Sequence, residues 1–159
     1  MPGNFYYWDA CVPLSFLDEA RTDRHPHIRW WLDEAAKTQP TFELVTSMLS
    51  LTEVAYGAAE KVKGILDPAI EQEIDKLWFP SGPIRFYEYH ETIALAARDL
   101  SRMATARKWR LAAPDAIHLA TARAIGAKEF HTYDHKLFRW SSIVGIPILE
   151  PYVANPKTL

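Results

Sequence analysis

Short apolar runs and stretches of helical spacing alternate along the chain, and that alternation is the first clue to its architecture. The aromatic run Phe5-Tyr6-Tyr7-Trp8 predicts a buried strand that stops at Asp9. Pro13 suits the first turn of a helix carried on by Leu14, Leu17 and Ala20. Residues 21–28 are polar and read as a loop, and residues 29–37 as a short helix. A second strand is predicted over 42–47. Behind it, Ser50-Leu51-Thr52-Glu53 has the form of a capping box, and Leu51, Val54, Ala55, Ala58 and Val62 continue at helical spacing. Asp67-Pro68 opens a further helix with Ile70, Ile74 and Leu77 on one face, broken by Pro80-Ser81-Gly82-Pro83.

A third strand over 84–89 leads into a helix over 91–107, striped by Ile93, Ala97, Leu100 and Ala104. Pro114 starts a helix to Ile125 that is small and apolar on nearly every side, the mark of a buried helix, and Gly126 stops it. Residues 129–133 predict a fourth strand, 134–140 a short helix and 146–149 a last strand. Strands alternating with helices predict an α/β fold with one parallel sheet covered on both faces. No linker, repeat or low-complexity tract divides the 159 residues, which are read as a single domain.

Four acidic residues, Asp9, Glu53, Asp115 and Asp134, each stand where an apolar run gives way to a helix start. Each has a bland explanation. Glu53 can close the capping box with Ser50, Asp115 can be a first-turn acid, Asp134 can cap the helix after it, and Asp9 can be a loop residue. Taken together they mean more. The carboxyl ends of parallel strands share one edge, so the four carboxylates would converge in the crevice where open α/β sheets bind ligands. Such a cluster repels itself unless a divalent cation neutralises it, and hard oxygen donors suit Mg²⁺ or Mn²⁺. A cation held there activates water toward a phosphodiester.

A net charge of −2 offers no basic excess for nucleic acid, so any such contact must come from local patches or bound metal. No apolar run is long enough to cross a membrane, and Met1-Pro2-Gly3-Asn4-Phe5 lacks the pattern of a signal peptide. Cys11 is the only cysteine, so no internal disulfide can form. A cytoplasmic location is expected, with no membrane association. Cys11 itself reads as a small buried hydrophobe rather than a nucleophile.

Four blocks carry a family resemblance: Tyr7-Trp8-Asp9-Ala10-Cys11-Val12, Ser47-Met48-Leu49-Ser50-Leu51-Thr52-Glu53-Val54, Asp115-Ala116-Ile117-His118-Leu119-Ala120-Thr121-Ala122 and Phe130-His131-Thr132-Tyr133-Asp134. In this order they resemble the motifs of PIN-domain ribonucleases, and most of all the VapC-type toxins of VapBC toxin–antitoxin pairs. The resemblance implies a three-layer α/β/α sandwich around a parallel sheet of four or five strands, cutting RNA with Mg²⁺ or Mn²⁺. It makes Asp9, Glu53, Asp115 and Asp134 the catalytic, metal-binding carboxylates, with Thr132, Ser47 and Ser50 as supporting polar positions. It further implies a small inhibitory antitoxin and a homodimer. One departure stands out: two residues after the first Asp the family often has Asn or Ser, and here it is Cys11.

Other features admit two readings. His118, one turn after Asp115, is either a satisfied histidine of a buried helix or a group facing the site. His135 either touches substrate or faces solvent. Arg21, Arg24, Arg29, Trp30 and Trp31 combine cations and rings that suit RNA, or a helix whose tryptophans pack on the core or on another subunit. Arg98, Arg102, Arg107, Lys108 and Arg110 read as a solvated face that can also guide RNA. A glycine-rich nucleotide loop is absent after the first strand, and the second acid required by haloacid-dehalogenase chemistry is replaced by Cys11. The serious rival to a ribonuclease is a PIN-like module that binds RNA or protein without cutting.

Overall fold

A computed structural model describes residues 3–155. Its centre is a five-stranded, wholly parallel sheet of order β3-β2-β1-β4-β5, built from β1 (Phe5–Trp8), β2 (Glu43–Ser47), β3 (Ile84–Tyr87), β4 (Glu129–His131) and β5 (Ile148–Leu149). Alternation along β1 sorts its side chains to opposite faces. Tyr7 points into a core with Phe130, Leu119 and Trp140, while Tyr6 and Trp8 join Trp31, Leu44 and Trp78 on the other side.

Helices cover both faces. α1 (Cys11–Leu17), α2 (His25–Ala35) and α5 (Pro68–Asp75) supply the second core; α6 (Glu91–Ala106), α7 (Ala113–Ala124) and α8 (Ser141–Val144) supply the first. Two short helices, α3 (Ser50–Glu53) and α4 (Ala58–Lys63), follow β2. The architecture is therefore the predicted three-layer α/β/α sandwich. Its short last strand is real, and α7 is as buried as its composition demands. Gly126 adopts φ +65 just past α7, the left-handed stop for which glycine is suited.

Three local expectations need correction. α1 ends at Leu17 rather than Ala20, because Asp18 turns extended and its carboxylate accepts the Ala20 N–H, starting a 3-10 turn over Glu19–Arg21. α2 begins at His25, inside the expected loop, with Pro26 in its first turn where the missing N–H costs nothing. The helix expected from Leu51 to Val62 is broken after Glu53. Gly57 is extended there and packs so close to Ile70 that a Cβ would stand 2.8 Å from its methyl. Glu60 holds the break by accepting the N–H groups of Gly57 (2.8 Å) and Asp67 (2.6 Å).

Candidate active site and metal centre

The register places Trp8 beside His131 at the ends of β1 and β4, so Asp9 and Thr132 leave the sheet side by side. The Asp9 N–H still reaches the His131 carbonyl at 3.4 Å. Glu53 arrives on α3 behind β2, Asp115 in the first turn of α7 and Asp134 just beyond β4. All four line one open cleft of about 350 Å³, together with Ala10, Cys11, Leu14 and His118. The four predicted carboxylates are thus brought to one place.

The bland explanations fare unequally. Asp134 does cap the 3-10 turn after it, accepting the Lys136 N–H at 3.0 Å through Oδ1. Asp115 does sit in a first turn. Glu53 closes no capping box: Ser50 is the first residue of α3, and its hydroxyl instead meets Thr46 Oγ1 at 2.6 Å. Asp9 is no ordinary loop residue, being 5% exposed.

Burial and crowding mark this cluster electrostatically. The Asp115 carboxyl is pushed up to about 6, first by desolvation and then by the charges of Asp9 and Asp134. Burial also raises Asp9, against the opposing pull of His118 and of hydrogen bonds from Cys11 and Thr132. Carboxylates that repel one another in a half-open cleft are an oxygen-only donor set suited to a hard divalent cation. Among the described residues, no three His, Cys, Asp or Glu side chains stand grouped to cage an ion as they are. The fit lies in donor chemistry: Mg²⁺ keeps several waters, so carboxylates spaced around a cleft can hold it through a partial shell.

The supporting residues have definite jobs. Thr132 is fully buried, and its hydroxyl accepts the Asp134 N–H at 2.9 Å. Cys11 ties two loops together. Its N–H (3.1 Å) and its thiol (2.7 Å) both donate to Asp9 Oδ1, while its sulfur contacts Thr132 Oγ1 at 3.2 Å and receives the Tyr133 N–H at 3.1 Å. Burial and the Asp9 charge push the Cys11 thiol up, which keeps it protonated and unsuited to nucleophilic attack. Ser50 sits behind the cleft in a chain through Thr46 to the Trp8 carbonyl. Ser47 Oγ receives the Leu49 N–H at 3.2 Å and shapes the turn into α3.

His118 was legible only as an alternative, and both of its readings hold. It is 1% exposed, yet it lines the cleft. Its Nε2 lies 2.7 Å from Glu53 Oε2 and its Nδ1 2.7 Å from the Tyr7 hydroxyl. An ionised carboxylate only accepts, so Nε2 carries a proton toward Glu53. The chain Tyr7–His118–Glu53 fixes the one site carboxylate carried on a four-residue helix. The spacing Asp115-x-x-His118 was its only signal in the sequence.

Elsewhere the alternatives separate. Trp31 is fully buried, donating to the Tyr152 carbonyl at 2.7 Å, so it packs rather than stacks on RNA. Arg21 and Arg24 instead line a groove beside the cleft, and Arg29 lies over Phe16. His135 is exposed and pairs with Glu150. Arg107 rests on the Trp109 ring. No helix among the described residues is long and apolar enough to cross a membrane.

Comparison with known proteins adds a family. The PIN domain profile matches residues 6–141. No curated protein matches the sequence. Several solved structures share the fold at low identity. FitAcB from Neisseria gonorrhoeae is 17% identical with a TM-score of 0.63, the match covering 97% of this chain and 99% of that one. VapBC2 from Rickettsia felis, bound to a DNA fragment from its promoter, is 16% identical with a TM-score of 0.62, over 93% and 98% of the two chains. VapC20 from Mycobacterium tuberculosis, described as a sarcin-ricin loop cleaving toxin, is 17% identical with a TM-score of 0.58, over 82% and 90%.

Proposed function

The chain belongs to the PIN domain family, and from that premise we propose that it is a metal-dependent endoribonuclease, the toxin of a type II toxin–antitoxin pair. One observation carries the reading: Asp9, Glu53, Asp115 and Asp134, far apart in sequence, line a single cleft at the carboxyl ends of the central strands. Asp9, Glu53, Asp115 and Asp134 would hold Mg²⁺ or Mn²⁺. When bound, the ion supplies Lewis acidity toward the scissile phosphate and lowers the pKa of an attacking water.

The chain's own residues then do the positioning. Cys11 and Thr132 orient Asp9 and Asp134, and His118 orients Glu53. Asp115, raised to about 6 by burial and by the charges of Asp9 and Asp134, would be kept ionised by a cation bound among them. No side chain need act as nucleophile. An antitoxin partner is supported by structural neighbours that are toxin–antitoxin complexes. A homodimer belongs to the same proposal.

The test is cleavage of a mixed RNA pool by purified protein with Mn²⁺, with chelator, and as Asp115→Asn. Metal-dependent cutting lost in the variant supports the nuclease. A folded, antitoxin-free protein that binds RNA and never cuts is the non-catalytic module.

A further inference from the structure

We infer that the groove flanking the carboxylate cleft is a track for the phosphate backbone of single-stranded RNA, with Tyr56 as a stacking platform for one unpaired base. The inference rests on the ribonuclease reading for its orientation toward a scissile bond. The groove, of about 350 Å³, runs between α1 with its following 3-10 turn and the α3–α4 break. It shares Cys11, Leu14 and Glu53 with the carboxylate cleft, so the two are continuous. Its wall carries Arg21, Arg24 and Lys61.

This concentration of cations is unexpected in a chain of net charge −2. Arg21 and Lys61 are exposed, and among the described residues neither they nor Arg24 form an ion pair. Apart from Glu53, the acid in the groove is Asp18, whose Oδ1 is engaged by the Ala20 N–H. Arg24 is ordered in advance: its Nη1 donates to Ser15 Oγ at 2.9 Å, and its guanidinium lies 3.9 Å over the Tyr133 ring. One donor is used there, which leaves the rest of a planar fork suited to phosphate. Tyr56, 51% exposed, lines the same groove at a helix break. Cations beside an exposed aromatic are the elements by which single strands are held without sequence preference. A base lying on Tyr56 cannot also be stacked in a duplex, so the groove selects unpaired RNA.

The test is fluorescence anisotropy of a labelled, mixed-sequence single-stranded RNA in chelator, where cutting is off. Wild type is compared with Arg21→Ala/Lys61→Ala, Tyr56→Ala and the distant control Lys37→Ala. The double variant should bind at least tenfold more weakly, and its slope of log affinity against log salt should flatten by about 0.7 per cation removed. Tyr56→Ala should bind roughly tenfold more weakly with the slope unchanged. The substituted side chains are exposed, so melting temperatures should match wild type. Unchanged affinity and slope in both variants overturns the groove even where Mn²⁺-dependent cleavage persists. The same holds if the double variant keeps RNA and loses only a protein partner. Failure of the nuclease reading looks different: wild type never cuts, while the variants still lose RNA.

Discussion

Two histidine–glutamate pairs lie on opposite sides of the central strands, built from the same groups and put to different uses. At the cleft, the Tyr7 hydroxyl meets Nδ1 of His118, whose Nε2 holds Glu53. Away from it, Trp8 Nε1 donates to Nδ1 of His131 at 3.0 Å, and His131 Nε2 donates to Glu129 at 2.8 Å. Glu129 also receives the Tyr152 hydroxyl, at 3.0 Å on Oε1. That second network straps the segment after β5 onto the sheet among Tyr6, Trp31 and Tyr152. Its carboxylate is spent on protein donors. Glu53, by contrast, stands in an open cleft with three further carboxylates. An acid whose oxygens are taken up by protein donors stabilises, whereas Asp115, raised by burial and by the like charges around it, is kept at a cost to stability.

The sharpest way to break the comparison is to neutralise one acid on each side. Asp115→Asn should reduce RNA cleavage to background while raising the melting temperature of the metal-free protein. The displacement of its pKa to about 6 corresponds to about 3 kcal/mol, which solvent screening in a half-open cleft reduces to roughly 1. Glu129→Ala should do the reverse, losing about 2 kcal/mol of stability by orphaning the buried His131 donor, with the folded fraction cutting normally. Thermal melts beside a cleavage assay check both.

His118→Ala sits between the two, since it is buried like His131 but serves the cleft. It should weaken Mn²⁺ binding about 10- to 100-fold, as loss of an outer partner of a metal ligand does. Metal titration of the variant decides whether His118 acts through Glu53.

A smaller effect lies in pH. Burial holds His131 below its usual value despite Glu129, so its folded-state contribution is present above about 6.5 and is lost as pH falls. Asp115 works in the other direction: its folded value is raised, so between about 6 and 3.8 the folded state takes up a proton first and gains stability. Asp115→Asn removes that gain, and its melting temperature should fall more steeply on acidification than that of wild type. The smallest change is Cys11→Ser, which keeps a donor toward Asp9; cleavage should persist and stability should shift by about 1 kcal/mol or less.

The features legible in the sequence were those set by periodicity. The aromatic run of β1, the small apolar face of α7 and the glycine after it fix the layers, and strand ends followed by acids point to the cleft. What stayed hidden depends on contacts distant in sequence. The break after Glu53 comes from Gly57 meeting Ile70, and a helical stripe cannot report that. The capping-box pattern at Ser50–Glu53 is present in letters but not in bonds, because Thr46 claims the Ser50 hydroxyl. His118 and Cys11 gain their roles from Tyr7, Glu53 and Thr132 across the sheet. The Arg21–Trp31 segment divides because α2 starts four residues earlier than its polarity suggested, turning Trp31 inward and leaving Arg21 and Arg24 at the groove.

The central claim is that the cleft carboxylates, and not the buried pair, hold a divalent cation. Calorimetric titration of Mn²⁺ into wild type, Asp9→Asn, Asp115→Asn and Glu129→Gln tests it most directly. Binding in wild type and Glu129→Gln, weakened at least tenfold in both cleft variants, is the predicted result. Equal affinity in all of these proteins, or no binding to wild type, would contradict it.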